Sequence, residues 1–212
     1  MILKLKLFIV RFVRSPLRAY VFARKLYFLT IRPRLSRSLF LVVGSRCIVT
    51  QNTYFIGSGS VTIGDRVVLG YKNGGYFRGN CIEFSVRDGG RIIVGSDTNF
   101  NNNCFISAKK MISIGSDCLI GHNCEFSDTD GHEINPLERK NSSGITEDTV
   151  IGSNVWLGNG CKILRGARIG DNSVVAAGAV VKGKFGANCI IGGVPAKIIR
   201  EIKPQSTNGK AE

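Results

Sequence analysis

Acidic residues are missing from the beginning of this 212-residue chain, in which the first is Asp65. Residues 1–46 contain eleven Lys or Arg, and the remaining 18 basic and 15 acidic residues give the rest of the chain a net charge of only +3. Most of the total charge of +14 therefore lies in one segment. The chain divides into two parts of different chemistry.

Long apolar runs are missing as well. The longest uncharged stretch of the basic segment is SLFLVVGS, far shorter than the roughly 18 to 20 apolar residues that cross a bilayer. No small-residue cleavage site follows a clean apolar block, as it would in a secretory signal. We therefore expect neither a transmembrane helix nor a signal peptide, and we predict a cytoplasmic protein.

The seven cysteines include no C-x-x-C pair, the spacing typical of zinc sites and redox motifs. Without a secretion signal, disulfides are not expected either. The sequence predicts free thiols in a reducing compartment and no metal site.

The basic segment has helical spacing, because basic residues recur every two helical turns at Lys4, Arg11, Arg18, Lys25 and Arg32. Pro16 is expected to divide it into two helices. One interpretation is peripheral contact with the anionic inner face of the cell membrane. The other is a helical cap over the open end of the next domain. No nucleic-acid-reading motif accompanies the charge, so nucleic acid is not an expected partner.

From about residue 56 the chain repeats with a period of six. This period is neither the 3.6 of an α-helix nor the 2 of one long strand, so it indicates short strands joined by tight corners in a parallel β-helix, with three hexads to a coil. Cys104, Cys118, Cys124 and Cys161 each lie four positions after a repeat residue. Other hexads have small side chains at this position. The repeat residues are Val94, Phe100, Ile106, Ile114, Ile120, Phe126, Ile145, Ile151, Leu157, Ile163, Ile169, Val175 and Val181.

The segment VIGSNVWLGNGCKILRGARIGDNSVVAAGAVV, followed by GGVPAKIIREI, resembles the hexapeptide-repeat O-acetyltransferases, in particular their polysaccharide-modifying members. The resemblance covers roughly residues 56–203. It implies an all-β fold, the left-handed parallel β-helix, against the usual right-handed rule for parallel crossovers. It also implies a homotrimer, acetyl-CoA as co-substrate and no metal. The γ-class carbonic anhydrases share this fold but need three histidines on one zinc, and the chain has two.

We divide the chain into a basic amphipathic helical segment at 1–46, a β-helix domain at 47–193, and a C-terminal helix and tail at 194–212. Within the domain the repeat breaks after Phe126, and no aliphatic residue returns in register until Ile145. A loop of this length in a compact repeat is usually functional or disordered. We predict an active-site loop at 127–144.

The stretch SDTDGHEI in this loop resembles the family's catalytic segment, which implies that His132 is the general base. Acetyl transfer requires a proton to leave a sugar hydroxyl, and imidazole titrates near neutral pH. Asp130 is the favoured carboxylate to orient the ring, with Asp128 and Glu133 as alternatives. A histidine that fills an inward hexad slot is the alternative interpretation. His122 is expected at a solvated corner.

In the family, the pantetheine arm of acetyl-CoA lies in a groove between adjacent subunits. Lys197 and Arg200, which match the positions that contact the phosphates, are expected three apart on a short helix opened by Pro195, where they form one basic stripe. Lys184 is an alternative to Lys182 as the lysine that contacts the pantetheine arm. A solvated surface position is the alternative interpretation for each lysine. The matching residues are Trp156 at the reacting end, Asn159 and Ala177 along the arm, Lys182 and Gly183 next to it, and Lys197 and Arg200 at the phosphates.

For the acceptor, the run NFNNNC offers Asn101 and Asn103, although asparagine ladders also stabilise β-helix corners. The predicted function is an acetyl-CoA-dependent O-acetyltransferase that acts on a saccharide hydroxyl of a polysaccharide, lipopolysaccharide or glycolipid precursor. One alternative is another small acceptor, such as serine, an antibiotic or an amino-sugar nucleotide. The other is a non-catalytic β-helix scaffold.

Overall fold

The structure is a computed structural model that describes residue 20 and residues 22–24, 26–31, 38–142 and 144–203. The basic residues that define the predicted seven-residue spacing lie outside these ranges. Among the described residues, no helix is long and apolar enough to cross a membrane. The prediction of membrane contact concerns residues outside the described part and stays a prediction.

The described residues form a π-helix, Tyr27–Ile31, and nineteen strands. In chain order the strands are β1 (Leu39–Val43), β2 (Ile48–Val49), β3 (Asn52–Ile63), β4 (Val68–Leu69), β5 (Cys81–Val94), β6 (Asn99–Phe100), β7 (Phe105–Ala108), β8 (Met111–Ile114), β9 (Leu119–Ile120), β10 (Glu125–Ser127), β11 (Thr149–Ile151), β12 (Trp156–Leu157), β13 (Lys162–Ile163), β14 (Arg168–Ile169), β15 (Val174–Val175), β16 (Val180–Val181), β17 (Lys184–Phe185), β18 (Cys189–Gly193) and β19 (Ala196–Glu201).

The strands wind into a parallel β-helix with three faces. The first face runs from β1 through β8, β11 and β14 to β17, the second from β2 through β4, β6, β9, β12 and β15 to β18, and the third through β7, β10 and β13 to β16. The long strands β3 and β5 turn from the third face into the first. We call the junction of the second and third faces the second corner, and that of the third and first faces the third corner. Strand β1 already pairs with β3, ahead of the boundary predicted at residue 46.

The repeat residues point inward and stack in register, except Ile145, which is 47% exposed and lies ahead of β11, so its assignment to the repeat was wrong. Phe100 pairs with Ile120, which pairs with Leu157 in the next coil, and all three are at most 3% exposed. Burial of one such side chain is worth about 1.5 to 3 kcal/mol, so these columns supply the core. The repeat glycines follow from the same stacking, because a Cβ on Gly95 would lie 2.5 Å from the carbonyl carbon of Gly115.

The predicted small slot of the hexad holds buried thiols. Cys104, Cys118, Cys124 and Cys161 are free and at most 1% exposed. A hydrogen bond to Cys104 is the main cause that raises the pKa of Cys124 to about 12, and burial raises the pKa of Cys118. The thiols of Cys118 and Cys124 therefore remain protonated at neutral pH, and all four side chains pack as small apolar groups.

The described part of the N-terminal segment covers the first coil. Phe28 and Leu29 are 7% and 8% exposed and belong to the same hydrophobic core as the β-helix. The Phe28 ring meets Tyr54 of β3 edge to face, with 5.7 Å between ring centroids. The Arg24 guanidinium donates a hydrogen bond to the side chain of Asn52. These contacts support the cap interpretation for the described residues of this segment.

We expect Phe28→Ala to lower the free energy of unfolding by about 3 kcal/mol, because it leaves a cavity between the cap and the first coil. Chemical denaturation measures this loss. The control is Leu26→Ala on the same helix, where the side chain is 42% exposed and the expected change is within about 1 kcal/mol. Equal, small effects of both substitutions would show that the segment does not cap the β-helix.

The prediction of a short C-terminal helix was wrong for Ala196–Glu201. This segment is strand β19, which pairs antiparallel with β18. The last coil leaves the edge of β18 with unpaired backbone groups, and such an edge is stable when a further strand covers it. The adjacent β-branched residues Ile198 and Ile199 favour a strand.

Candidate active site

The loop predicted to carry the catalytic residue leaves the β-helix at the third corner, between β10 and β11. Asp128 is fully buried at its start, and its carboxylate accepts hydrogen bonds from the backbone N–H groups of Lys109 and Lys110, at 2.8 and 2.7 Å. An isolated bridge between Thr129 and Thr146 joins the two stems of the loop. Asp128 therefore ties the loop to the preceding coil, and both its oxygens are used for this purpose.

Arg165 lies beneath the loop and holds both stems. Its Nε lies 2.5 Å from Oδ2 of Asp130, and its Nη1 pairs with the carboxylate of Glu147. The side chain of Arg165 is only 11% exposed. The hydrogen bond to Asp130 is the main cause that raises the pKa of Arg165. Asp130 thus belongs to an ion-pair network that fixes the loop stems.

His132 extends into solvent near the first stem. Its Nδ1 lies 3.1 Å from the carbonyl oxygen of Arg139. A carbonyl can only accept, so Nδ1 carries the proton, and Nε2 of the neutral ring keeps its lone pair for an incoming proton. Arg139 is itself fixed, because its Nη2 donates to the carbonyl of Ile134 at 2.9 Å. The loop therefore presents one basic nitrogen outward.

A backbone carbonyl, and not one of the predicted carboxylates, is the hydrogen-bond partner of the His132 ring. Asp130 pairs with Arg165, Asp128 accepts from the backbone as described above, and Glu133 accepts from the N–H of Ile134 at 2.9 Å. The sequence placed the acids near the histidine but could not show that each had another partner.

Gly144 supports the histidine from the opposite stem. It has a φ of +69°, and a Cβ at this position would lie 2.4 Å from the carbonyl oxygen of His132. Backbone contact of this kind cannot be relieved by a side-chain rotation. A side chain at residue 144 must therefore displace the backbone of His132.

We expect Gly144→Ala to lower kcat by about tenfold or more, because small displacements of a catalytic group are costly. The control is Gly131→Ala, since Gly131 also has a positive φ of +80° but has no atom within 4 Å of its Cβ position. Kinetics and thermal unfolding of the two variants separate displacement from backbone strain. If both lose the same activity, contact with His132 is not the cause.

A cleft of about 320 Å³ on the second face collects another group of the predicted residues. Trp156 on β12, Asn159 and Asn101 line it, together with Tyr71 and Leu119. Trp156 is 55% exposed, with its partner Leu119 directly below it on β9. The cleft is therefore an aromatic and apolar surface bordered by amide groups.

The predicted contacts of the acetyl-CoA arm continue from this cleft along the second face. Ala177 lies in the coil that follows Gly158, and its backbone nitrogen would be 2.6 Å from a Cβ placed on Gly158. Arg200 pairs with Ile190, whose next neighbours in the ladder are Val174 and Trp156. Trp156 and Arg200 are thus three strand spacings apart, or about 14 Å.

The two basic residues at the far end face the same side although they are not on a helix. Lys197 pairs with Gly192 and Arg200 with Ile190. Their partners are two positions apart on β18 and so share a face. A register shift between Ile190 and Ile191 makes this possible, because it inserts an extra residue into β19. The predicted basic stripe is present, on a strand.

Lys182 and Gly183 lie elsewhere. They follow β16 at the third corner, and the carbonyl of Gly183 accepts from the N–H of Arg168 at 2.8 Å. This is the corner that carries the His132 loop. The predicted site residues of one chain are therefore divided between the second face with its adjoining corner and the third corner of the β-helix.

The asparagines predicted to bind the acceptor also separate. Asn101 lines the cleft of Trp156, whereas Asn103 faces the other side of the second corner and donates to Asn123 at 2.6 Å. Asn102 between them is fully buried. Asn103 and Asn123 form the corner ladder that was the alternative interpretation for this run.

A second loop, at 70–80, was not predicted from the sequence, and the predicted exposure of His122 was wrong. The apolar register passes from Leu69 to Phe84, which pairs with the repeat residue Ile106, and this interval is not a multiple of six, which was the available signal. The ring of Tyr76 in this loop lies 5.0 Å from that of His122. His122 is consequently half-buried and not solvated, and its Nδ1 is buried without a hydrogen-bond partner among the described residues.

Two family models match the chain. The model described as bacterial transferase hexapeptide (six repeats) matches residues 148–183, and the model described as hexapeptide repeat of succinyl-transferase matches residues 111–129. Both matches lie within the β-helix and flank the His132 loop.

Curated relatives and solved structures agree with these matches. The galactoside O-acetyltransferase of Escherichia coli (strain K12) is 38% identical over 114 residues, which cover 54% of this chain and 56% of that protein, so the chain spans little more than half the length of this relative. A galactoside acetyltransferase solved in complex with coenzyme A has a TM-score of 0.55 at 29% identity, covering 78% of this chain and 66% of that one. A polysialic acid O-acetyltransferase has a TM-score of 0.62 at 29% identity, covering 82% and 80%. The predicted parallel β-helix is confirmed, and a left-handed winding is consistent with these structures.

Proposed function

We propose that the chain is a hexapeptide-repeat transferase, as the family models matching residues 148–183 and 111–129 support, and that it transfers the acetyl group of acetyl-CoA to a hydroxyl of a saccharide. The observation that carries this proposal is the hydrogen bond from Nδ1 of His132 to the carbonyl of Arg139, which leaves Nε2 as an outward-facing base. The saccharide class is supported by the relatives, which are named for galactoside and polysialic acid acetylation.

The second face fits the co-substrate. Trp156 offers an exposed aromatic surface, Ala177 leaves room beside the backbone, and Lys197 and Arg200 supply positive charge about 14 Å further on. A long, flexible arm with phosphates at one end matches this order of apolar, small and basic groups. When bound, acetyl-CoA supplies the acetyl group as a thioester.

His132 then moves one proton. Its Nε2 takes the proton of the acceptor hydroxyl as the hydroxyl oxygen forms a bond to the acetyl carbonyl carbon. The carbon–sulfur bond breaks, and the same proton passes from Nε2 to the departing sulfur. The products are the acetyl ester and a free thiol. The Arg139 carbonyl stabilises the imidazolium that exists between the two transfers.

We also propose that the site is assembled from two chains of a homotrimer. The His132 loop joins β10 to β11, and Trp156 lies on β12, so the two residues occupy the same level along the β-helix at different edges. Rotation about a parallel axis keeps this level and brings the third corner of one copy to the second face of its neighbour. Lys182 and Gly183, at the corner of the His132 loop, then approach the neighbour's bound co-substrate.

Thiol release from acetyl-CoA tests the reaction, with a panel of neutral and acidic saccharides, L-serine and an amino-sugar nucleotide as acceptors. We expect release that depends on a saccharide, with an ester in the product detected by mass spectrometry. Transfer to serine or to an amine alone would replace the saccharide by another acceptor. Absence of release with every acceptor would favour the scaffold interpretation.

A further inference from the structure

The loop missed in the sequence is held by two buried amides. Asn102 accepts from the N–H of Tyr71 at 2.9 Å and donates to the carbonyls of Tyr71 and Gly75 at 2.8 and 2.9 Å. Gln51 is 1% exposed and donates to the carbonyl of Tyr76 at 2.7 Å. Buried amides that satisfy a loop backbone so fully fix its shape. We call residues 71–80 the basic loop.

The basic loop carries cations without acids. Its sequence, YKNGGYFRGN, contains Lys72 and Arg78 and no Asp or Glu. Within the described part of the chain, neither cation takes part in a recorded ion pair. Both line one open cleft of about 480 Å³, together with Tyr76 and Phe77. Two unpaired cations in one cleft create a local site for an anion.

Aromatic rings on the basic loop face solvent. Tyr71 is 57% exposed and Tyr76 51% exposed. Tyr76 has a φ of +59°, a conformation that bulky residues rarely adopt. The ring of His122 supports Tyr76 from below. The loop thus presents aromatic faces and positive charge together.

The basic loop starts at the proposed site of acetyl transfer. Tyr71 lines the same cleft as Trp156 and Asn159. On the other side of the second corner, Tyr76 lines a cleft with Asn103 and Lys162. The acid that lines this second cleft, Glu125, is paired with Lys162 at 2.5 Å. A chain of sugars that reaches Trp156 would therefore continue across the basic loop.

We propose that the basic loop selects an anionic saccharide as the acceptor. Lys72 and Arg78 bind its carboxylate or phosphate groups, and Tyr71 and Tyr76 stack on its sugar rings. This inference rests on the proposed function, because it names the class of acceptor for the same site. It assigns Lys72 and Arg78 to specificity and not to the chemical step.

Binding of matched pairs of probes to the purified full chain tests the proposal. One pair is trigalacturonic acid and its fully methyl-esterified form; the other is galactose 1-phosphate and methyl galactoside. We expect at least one anion to bind at least about tenfold more tightly than its neutral partner, and the double variant Lys72→Gln, Arg78→Gln to abolish this preference. The two pairs separate carboxylate from phosphate recognition.

The control variant is Arg91→Gln, which removes an exposed cation on β5 of the first face and should leave the preference intact. In the thiol-release assay, the double variant should raise KM for an acidic acceptor by a similar factor, with kcat and KM for acetyl-CoA unchanged. Equal binding of each anion and its neutral partner would refute the inference, and so would a raised KM for acetyl-CoA alone. Transfer to no saccharide at all would instead refute the proposed function.

Discussion

Replacing His132 by Ala is expected to lower kcat by about two to four orders of magnitude, the usual contribution of general base catalysis. The proton of a sugar hydroxyl then has no acceptor within reach, because the ring whose Nε2 faces outward is lost. Binding of acetyl-CoA should change little, since the predicted arm contacts other than Lys182 and Gly183 lie on or beside the second face. KM for acetyl-CoA and its directly measured affinity should therefore stay near the wild-type values.

The matched control is Asn141→Ala, in the exposed part of the same loop. It should retain nearly full activity, which shows that a side-chain truncation in this loop does not by itself disrupt the site. A His132→Ala enzyme with more than about a tenth of the wild-type kcat would exclude His132 as the base.

Mixed assemblies of two inactive variants should recover activity. One partner is His132→Ala, and the other is the double variant Trp156→Ala, Arg200→Ala, which removes the aromatic wall and a basic group of the second face. If each site takes its histidine from one chain and its Trp156 face from the next, equal mixing leaves about one site in four with both parts intact. Co-refolding of the two variants should then give about a quarter of wild-type activity.

The activity of each variant refolded alone is the background. The activity of wild type refolded with either variant shows how mixing alone changes activity. Recovery depends on the division of the site between two corners, so a site contained within one chain predicts none. Mixed oligomers without recovered activity would therefore refute a site shared between two chains.

The core could be predicted because its signal is local. Stacked columns such as Phe100, Ile120 and Leu157 require an apolar residue every six positions, and this requirement is visible in one sequence. The His132 loop could be found for the same reason, as the place where the register fails. The basic loop gave the same signal between Leu69 and Phe84, but that interval lies ahead of Val94, the first of the repeat residues named from the sequence.

Partners in space could not be predicted, because they depend on the winding of the chain. Asp130 is two residues from His132 in sequence, yet its carboxylate pairs with Arg165 of the following coil. Lys197 and Arg200 have the spacing of a helix face, but the open edge of β18 made their segment a strand. In both cases a contact with a neighbouring coil outweighed a local pattern.

The strand ladder from Trp156 to Arg200 fixes the distance between the aromatic and basic ends of the second face. Its length is counted in whole coils, each adding one strand spacing of about 4.8 Å, so the span between the aromatic and basic ends cannot be adjusted continuously. Deletion of residues 166–183 would remove one coil and leave the coils on either side able to pair. Such a protein would keep His132 and the basic stripe, but the distance from Trp156 to the basic stripe would be shorter by one strand spacing. The number of coils after Trp156 thus sets the length of acyl carrier that the surface can accommodate.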